Sequence, residues 1–314
     1  MAVLQNSEIL EIRTGDLCAV VIDRPPLFDA EKIFDCGQSF RFDPVKNTAH
    51  QAEFAGVAHG KYISVAQDED KIYIYNSNTE DFNNIWKRFL ALDRDYEEIN
   101  SDILSLSDNS ALKDAVDRSS GIRILRQESW ETICSFIISQ NNNIPRIKKL
   151  VAALCQRCGE PADISLMGDH IADSHRENEG NFYSFPSPDR VAALGIDGLA
   201  ALKTGFRAKY IFDAAERMVN GEIDLNLLEF SHSTEECIEH LCRVKGIGIK
   251  VASCALLFGF ARIDAFPVDV WIKKVMAKYF SEDFSPDKLG RFAGVAQQYL
   301  FYYERYLVSG KEQE

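Results

Sequence analysis

Alternation of apolar and polar positions dominates roughly the first eighty residues and then gives way to longer periods. "DLCAVVID" (16–23), "QSFRFDP" (38–44), "KYISVAQ" (61–67) and "KIYIYNSN" (71–78) are rich in β-branched and aromatic residues, which predicts antiparallel strands. The turn residues "DED" join the last two as a hairpin. From about Asp81 the apolar residues recur at helical spacing. "DFNNIWKRFLAL" and "DYEEINSDILSL" each begin with Asp, whose carboxylate can cap free N–H groups. "SWETICSFIISQ" (129–140) is apolar around much of its circumference, which predicts a central buried helix running into the polar "QNNN". "IPRIKKLVAALCQRCG" (144–159) follows, with Pro145 in its first turn and a stop at Gly159. Residues 160 to 185 are polar and irregular, a surface excursion by pattern. "SPDRVAAL", "DGLAALK", "FRAKYIFDAAERMVNG", "TEECIEHLCRV" and "FSPDKLGRFAGVAQQYLFYYERYLV" read as further helices. No internal repeat or low-complexity tract interrupts them.

Composition narrows the class. A chain of 314 residues has room for two or three structural units with a sizeable core. No apolar run is long enough for a bilayer, and "MAVLQNSEILEIRTGD" lacks a basic segment followed by an apolar one. The expectation is an intracellular protein without a membrane partner. Eight scattered cysteines fit reduced thiols. Cys155 and Cys158 form a C-x-x-C, but no second pair of ligand spacing accompanies them, so they read as structural. Neither a metal nor a cofactor is expected.

The net charge of −13 argues against an indiscriminate nucleic-acid binder, yet it hides a local asymmetry. Leu241 to Lys278 carries seven basic residues against two acidic ones, Asp264 and Asp269. Asn141 to Leu150 adds Arg146, Lys148 and Lys149 without an acid. Acid gathers elsewhere, in "DRDYEEINSD" and "DHIADSHRENEGN". Such a run is usually a solvated face, so the asymmetry locates a candidate surface without proving one.

Within the basic stretch, "EECIEHLCRVKGIGIKVASCALLF" predicts two helices joined by a glycine hairpin. Gly246 and Gly248 permit the tight turn and leave backbone N–H groups uncovered at a helix N-terminus, a place suited to phosphate. The longer glycine-bounded segment of a Walker A loop is absent. Lys250 falls in the first turn of the second helix, and Cys254 and Phe258 share its face at four-residue steps. A lysine partly desolvated by such neighbours can act as a nucleophile that forms Schiff bases. "DAFPVDVW" then offers Asp269 at the start of another helix, with Pro267 fixing the entry. Taken singly, Lys250 reads as a surface amine and Asp269 as a helix cap. Together they form a candidate site.

"VKGIGIKVASCALLFGF" and "DAFPVDVW" resemble the helix-hairpin-helix, Gly/Pro-Asp (HhH-GPD) DNA glycosylases, and their 8-oxoguanine branch most of all. Four distant segments agree in the same order: "GQSFRF" (37–42), "SFIISQNNNIPRI" (135–147), "TGFRAKY" (204–210) and "AGVAQQYLF" (293–301). The resemblance implies an α+β fold, with an N-terminal antiparallel β domain packed on a mostly helical body. The corresponding division is 1–115, strands with flanking helices, and 116–314, the helical region whose C-terminal helix packs back near the first part. The last cysteine is Cys254, so the four-cysteine iron–sulfur loop of the endonuclease III branch is missing.

The resemblance also implies roles. Lys250 would attack the sugar C1′ and Asp269 would stabilise the developing positive charge. Gly37 would tell 8-oxoguanine, which carries N7–H, from guanine, whose N7 is a bare acceptor. Cys254 and Phe301 would sandwich the everted base and Gln297 would read its Watson–Crick edge. Asn141, Arg146 and Arg207 would face the orphaned cytosine, with Phe206 as the wedge. Gly246, Gly248, Lys245 and Val270 would meet phosphates. Trp271 stands where relatives have a phosphate-touching histidine, and an indole cannot become cationic. The implied partner is duplex DNA with 8-oxoguanine opposite cytosine, met by a monomer, in the nucleoid or cytoplasm of a bacterium or the nucleus of a eukaryote. Two other readings stay open: an alkylpurine glycosylase without a lyase step, and a non-catalytic module that grips phosphates.

Overall fold

In the computed structural model, residues 9–170, 182–230 and 233–310 are described. Six strands form one antiparallel sheet in the order β1-β2-β6-β5-β4-β3: Leu10–Thr14, Leu17–Asp23, Lys71–Tyr75, Lys61–Gln67, Ala52–Ala58 and Phe42–Pro44. Period-two alternation sends Val20, Ile22, Ile63, Val65, Ile72 and Ile74 to one face. There they pack on Phe28, Phe34, Phe82, Trp86 and Phe89. The other face is not left to water. Ala55, Val57 and Tyr62 are covered by Ala162 and Met167, with Phe182 beside them.

That cover corrects the excursion expected at 160–185. Its two described ends are pinned to the sheet: Cys18 N donates to Leu166 O and Asn76 Nδ2 to Asp163 O. The remainder, 171–181, lies outside the described residues. Other corrections concern edges and caps. β1 and β4 were not expected, and the strand expected over 38–44 is confined to Phe42–Pro44. Gln38 is buried and spends its side chain on Ile33 O, Arg123 O and Leu125 N instead. Asp81 is not a cap. Asn78 takes that place and accepts from Asp81 N, while Asp81 pairs with Lys61 Nζ at 2.8 Å. Asp95 caps as expected, accepting from Glu97 N and Glu98 N. Two unexpected helices, Ala30–Phe34 and Ser110–Ser119, start at Asp29 and Asn109.

The helical body is organised around α1 (Ser129–Ser139), which is buried from Trp130 to Ile138. α2 (Ile144–Cys158) follows, capped by Asn143 and stopped at Gly159. α3 (Ala208–Val219), α4 (Thr234–Leu241), α5 (Ile249–Gly259), α6 (Val270–Tyr279) and α7 (Ala293–Tyr302) complete the frame. α5 is buried from Val251 to Phe258 and packs along α1. The sheet is tied to this body by a buried ion pair, Arg41 Nη1 to Glu131 Oε2 at 3.3 Å. α7 reaches back as well: Gln298 Nε2 donates to Cys36 O at 3.0 Å. Among the described residues no helix is long and apolar enough to cross a membrane.

Candidate active site

α4 and α5 meet at the glycine hairpin. Gly246 holds φ at +84°, and a Cβ there would enter the Tyr210 ring at 2.2 Å, so only glycine fits. Gly248 precedes α5 with no side-chain cap, and a Cβ there would meet nothing within 4 Å. The first amides of α5 therefore face open space with the positive end of the helix dipole behind them. Ile249 and Val270, which start α5 and α6, are exposed apolar residues beside this opening. Lys245 is exposed too, with its ammonium 3.8 Å from Asp213.

Both helix starts border a cavity of about 760 Å3. Lys250, Cys254, Asp269, Val270, Gly248, Gly37, Gln297, Phe301 and Asn141 all line it. Nine positions singled out in the sequence thus converge from five separate segments. Lys250 Nζ lies 3.5 Å from Ser139 Oγ and 5.3 Å from the centre of the Phe136 ring. Asp269 is the cap of α6. Its Oδ1 accepts from Trp271 N and Ile272 N, both at 2.9 Å. The capping reading and the site reading of Asp269 are therefore compatible: the bonds that cap α6 also fix the carboxylate at the cavity wall. Burial pushes the Cys254 thiol up, with the Lys250 charge working against that shift, so the sulfur presents a neutral, polarisable surface.

At the far end of the cavity, Gly37 has φ +81°, the left-handed region that glycine tolerates. A Cβ there would point at Ile144 Cδ1 (3.4 Å) and Phe301 Cε1 (3.8 Å). The neighbouring carbonyls are occupied, Cys36 O by Gln298 and Gln38 O by Gln127. Gln297 is 4% exposed, and its Oε1 has no hydrogen-bond partner. A buried amide oxygen without a partner is costly unless a ligand or water answers it.

Arg146, Phe206 and Arg207 do not line the cavity, and Arg207 joins its wall through the carbonyls of Gln140 and Asn141. Arg146 is exposed at the start of α2. Phe206 is 47% exposed, edge-on to Tyr210 and covered on one face by Arg207. Arg207 is engaged within the protein. It is 3% exposed, and each of its three nitrogens donates to a backbone carbonyl. Nε bonds Gln140 O at 2.9 Å, Nη2 bonds Asn141 O at 3.0 Å and Nη1 bonds Thr204 O at 3.2 Å. Burial, then the nearby Arg146 charge, lowers its pKa. It braces the turn at Asn141, where φ is +47°.

Sequence reasoning passed over Ser139, Phe136, Lys273 and Arg305, which also line the cavity. Ser139 and Phe136 stand inside the quoted "SFIISQNNN", and Lys273 lies in the basic stretch, but Arg305 had no signal of its own. Trp271 lines the cavity as well, with Lys274 Nζ 4.4 Å above its ring. Cys155 is buried and Cys158 half-buried. Among the described residues no three His, Cys, Asp or Glu side chains are grouped to hold a metal.

Comparison with known proteins gives a consistent answer. Residues 21–133 match the family model described as 8-oxoguanine DNA glycosylase, N-terminal domain. Residues 134–291 match the HhH-GPD superfamily base excision DNA repair protein. The Clostridium acetobutylicum 8-oxoguanine glycosylase/lyase, solved with double-stranded DNA containing cytosine opposite 8-oxoG, is 36% identical with a TM-score of 0.81. The match covers 96% of this chain and 98% of that one. The N-glycosylase/DNA lyase of Saccharomyces cerevisiae is 35% identical over 167 residues, 49% of this chain and 41% of the relative. The Arabidopsis thaliana N-glycosylase/DNA lyase OGG1 is 30% identical over 200 residues, 58% of this chain and 51% of the relative. The match thus spans about half or less of these two curated relatives.

Proposed function

The chain belongs to the 8-oxoguanine DNA glycosylase branch of the HhH-GPD superfamily, and from that premise we propose that it excises 8-oxoguanine from duplex DNA and then nicks the strand. One observation carries the reading: an amine and a carboxylate, Lys250 and Asp269, share a cavity with an unanswered buried amide oxygen on Gln297. That is the equipment for reading a base edge and breaking its bond to the sugar.

The Lys250 amine attacks C1′ and gives up a proton as the new bond forms. The bond from C1′ to the base breaks, and the electron pair leaves with the base, which takes up a proton. Opening of the sugar converts the new C1′–N bond to a Schiff base. Loss of a C2′ proton then expels the 3′ phosphate by β-elimination. Asp269, held by two amides of α6, sets its carboxylate beside the sugar, where positive charge develops. Glycosylases that use water do not need an amine at this point, so Lys250 favours the lyase route over simple hydrolysis.

Base recognition is assigned to the opposite end. The everted ring stacks between Cys254 and Phe301, and Gln297 Oε1 accepts from an N–H on its Watson–Crick edge. The Gly37 carbonyl accepts from N7–H of the oxidised base and repels the bare N7 of guanine. Phe206 enters the gap, and Asn141 and Arg146 face the orphaned cytosine. Gly246, Gly248, Lys245 and Val270 hold phosphates at the two helix starts. Trp271 cannot supply a cation, but Lys274 above its ring can. The partner is duplex DNA, met by a monomer, so the working compartment is wherever the genome lies.

The decisive test is incubation with an 8-oxoguanine:cytosine duplex and borohydride. A covalent protein–DNA adduct is expected. Base release without an adduct would point to water as nucleophile. Duplex binding with neither would leave only a phosphate-gripping module.

A further inference from the structure

We propose that Arg305 is a positioning residue of this site, and that its guanidinium takes a phosphate flanking the everted nucleotide. The inference rests on the function proposed above. Arg305 lies one helical turn beyond Phe301, on the wide helical segment Tyr303–Val308 that continues α7. Its Cζ is 5.5 Å from the centre of the Phe301 ring and 5.2 Å from that of Tyr306. Both side chains border Gly37, whose added Cβ would come within 3.8 Å of Phe301 Cε1 and 4.0 Å of Tyr306 Oη. Arg305 therefore sits on the base-reading side of the cavity, which it lines.

Its mounting is firm. The adjacent Glu304 is buried and accepts from Tyr279 Oη at 2.8 Å and Lys278 Nζ at 3.3 Å, which anchors the segment to α6. The guanidinium forms no ion pair among the described residues, although its charge reaches Asp35, where it opposes the upward push of burial on that carboxyl. Arg126, Arg190, Arg217 and Arg291 are paired with Asp93, Glu160, Asp213 and Asp102, whereas exposed Arg146, beside the same cavity wall, shares the unpaired state of Arg305 among the described residues.

A guanidinium stacked on aromatic faces keeps its N–H edge free, and that planar fork matches two phosphate oxygens. A base carbonyl is a poorer match, because it is neutral and offers one oxygen. Lys250, Lys273 and Arg305 outnumber the single acid Asp269 among the charged groups lining the cavity, so the mouth favours an anion. Eversion of a nucleotide carries its own phosphates to that mouth. Gripping one of them there would hold C1′ in line with Lys250 while Phe301 holds the base.

The test uses Arg305→Gln and Arg305→Lys in the full chain, with duplex affinity followed against salt. Arg305→Gln should reduce the slope of log affinity against log salt by about 0.9, and Arg305→Lys should restore it. Neutral methylphosphonates are then placed singly at the phosphates flanking the lesion. One position should weaken wild type and leave Arg305→Gln unaffected. If Arg305→Gln keeps the wild-type slope and the same sensitivity at every position, the assignment is overturned. The same holds if both variants slow excision equally without a change in slope, since that marks ring packing alone. These readouts need only binding, whereas absence of a borohydride adduct with wild type would overturn the function and not this contact.

Discussion

Two polar clusters in this molecule use similar side chains to different ends. On the outer face of the sheet, the buried carboxylate of Glu53 accepts from Thr48 Oγ1 at 2.5 Å and from Ser64 Oγ, and His170 Nε2 lies 2.8 Å away. His50 sits 3.0 Å from Asp68 and 2.8 Å from Tyr75 Oη, and the Tyr75 ring stacks on His170 at 3.6 Å. Each group is answered within the chain. In the cavity, Lys250 has a 3.5 Å contact with Ser139 and lies over the Phe136 ring, Gln297 Oε1 has no partner, and Arg305 forms no ion pair among the described residues. A closed network supports the fold by meeting its own needs. An open one carries a standing cost that a ligand can relieve. The difference separates structure from function better than residue type does, since histidines and carboxylates are denser in the cluster that does no chemistry.

The largest break in this contrast should come from Lys250→Gln. Loss of the amine should abolish the borohydride adduct and lower single-turnover excision by about a thousandfold or more, as removal of a covalent nucleophile does. Duplex binding should change little, because the hairpin amides and the other cations remain. A variant that still forms the adduct would transfer the nucleophile's role elsewhere.

Glu53→Gln tests the closed cluster. Its hydrogen bonds, opposed by burial, hold the Glu53 carboxyl at about 2. A folded-state pKa below the unfolded one stabilises the protein above the unfolded value. That contribution is lost as pH falls through the folded value, here from about pH 5 towards pH 2. Glu53→Gln should therefore lower the melting temperature at pH 7 and flatten the acid limb of the stability curve. Excision per folded molecule should match wild type, and a selective loss of excision would tie this face to the site.

Gly37→Ala should have a smaller effect that falls mainly on chemistry. A left-handed residue with a Cβ costs about 1–2 kcal/mol, and this Cβ would also point towards Ile144 and Phe301. Excision of 8-oxoguanine should fall by about tenfold or more, with a drop of a few degrees in melting temperature. An unchanged excision rate would remove Gly37 from base recognition.

Legibility in the sequence followed the range of the interactions. β2, β5 and β6 showed through because their alternation is regular. β1 is a short exposed edge strand, and "AEFAGVA" of β4 is built of small residues buried on both faces, so neither produced a period. Lys250, Cys254 and Phe258 were visible together because four-residue steps on one helix are local. Gly37 was not. Nothing within "CGQSF" says that it lies against α7, and the bond that fixes it there, Gln298 to Cys36 O, joins residues 262 apart. Only the resemblance joined those segments. Arg207 went the other way, since an isolated arginine reads as surface charge and this one is buried under a turn.

Arg207 and Arg146 bring the contrast between closed and open groups to neighbouring side chains. Both were expected to read the orphaned cytosine. Arg146 is exposed, and no side-chain bond holds it among the described residues. Arg207 is committed to the carbonyls of Gln140, Asn141 and Thr204, and the first two belong to the turn that follows Ser139 beside Lys250. A well-placed donor pair is worth roughly 1–3 kcal/mol of discrimination between bases. Arg146→Ala should therefore relax the preference for cytosine over adenine by about tenfold, with a smaller effect on excision opposite cytosine. Arg207→Ala should instead slow excision opposite all four bases together and lower the melting temperature, because buried carbonyls lose their donors and the wall beside the amine loosens. The measurement is single-turnover excision opposite each base, with thermal melting of the same samples. If Arg207→Ala shifts the cytosine-to-adenine ratio as Arg146→Ala does and melts like wild type, the guanidinium must leave its turn when DNA binds. It would then belong with the open groups of the site, and its bonds in the free protein would be a resting state.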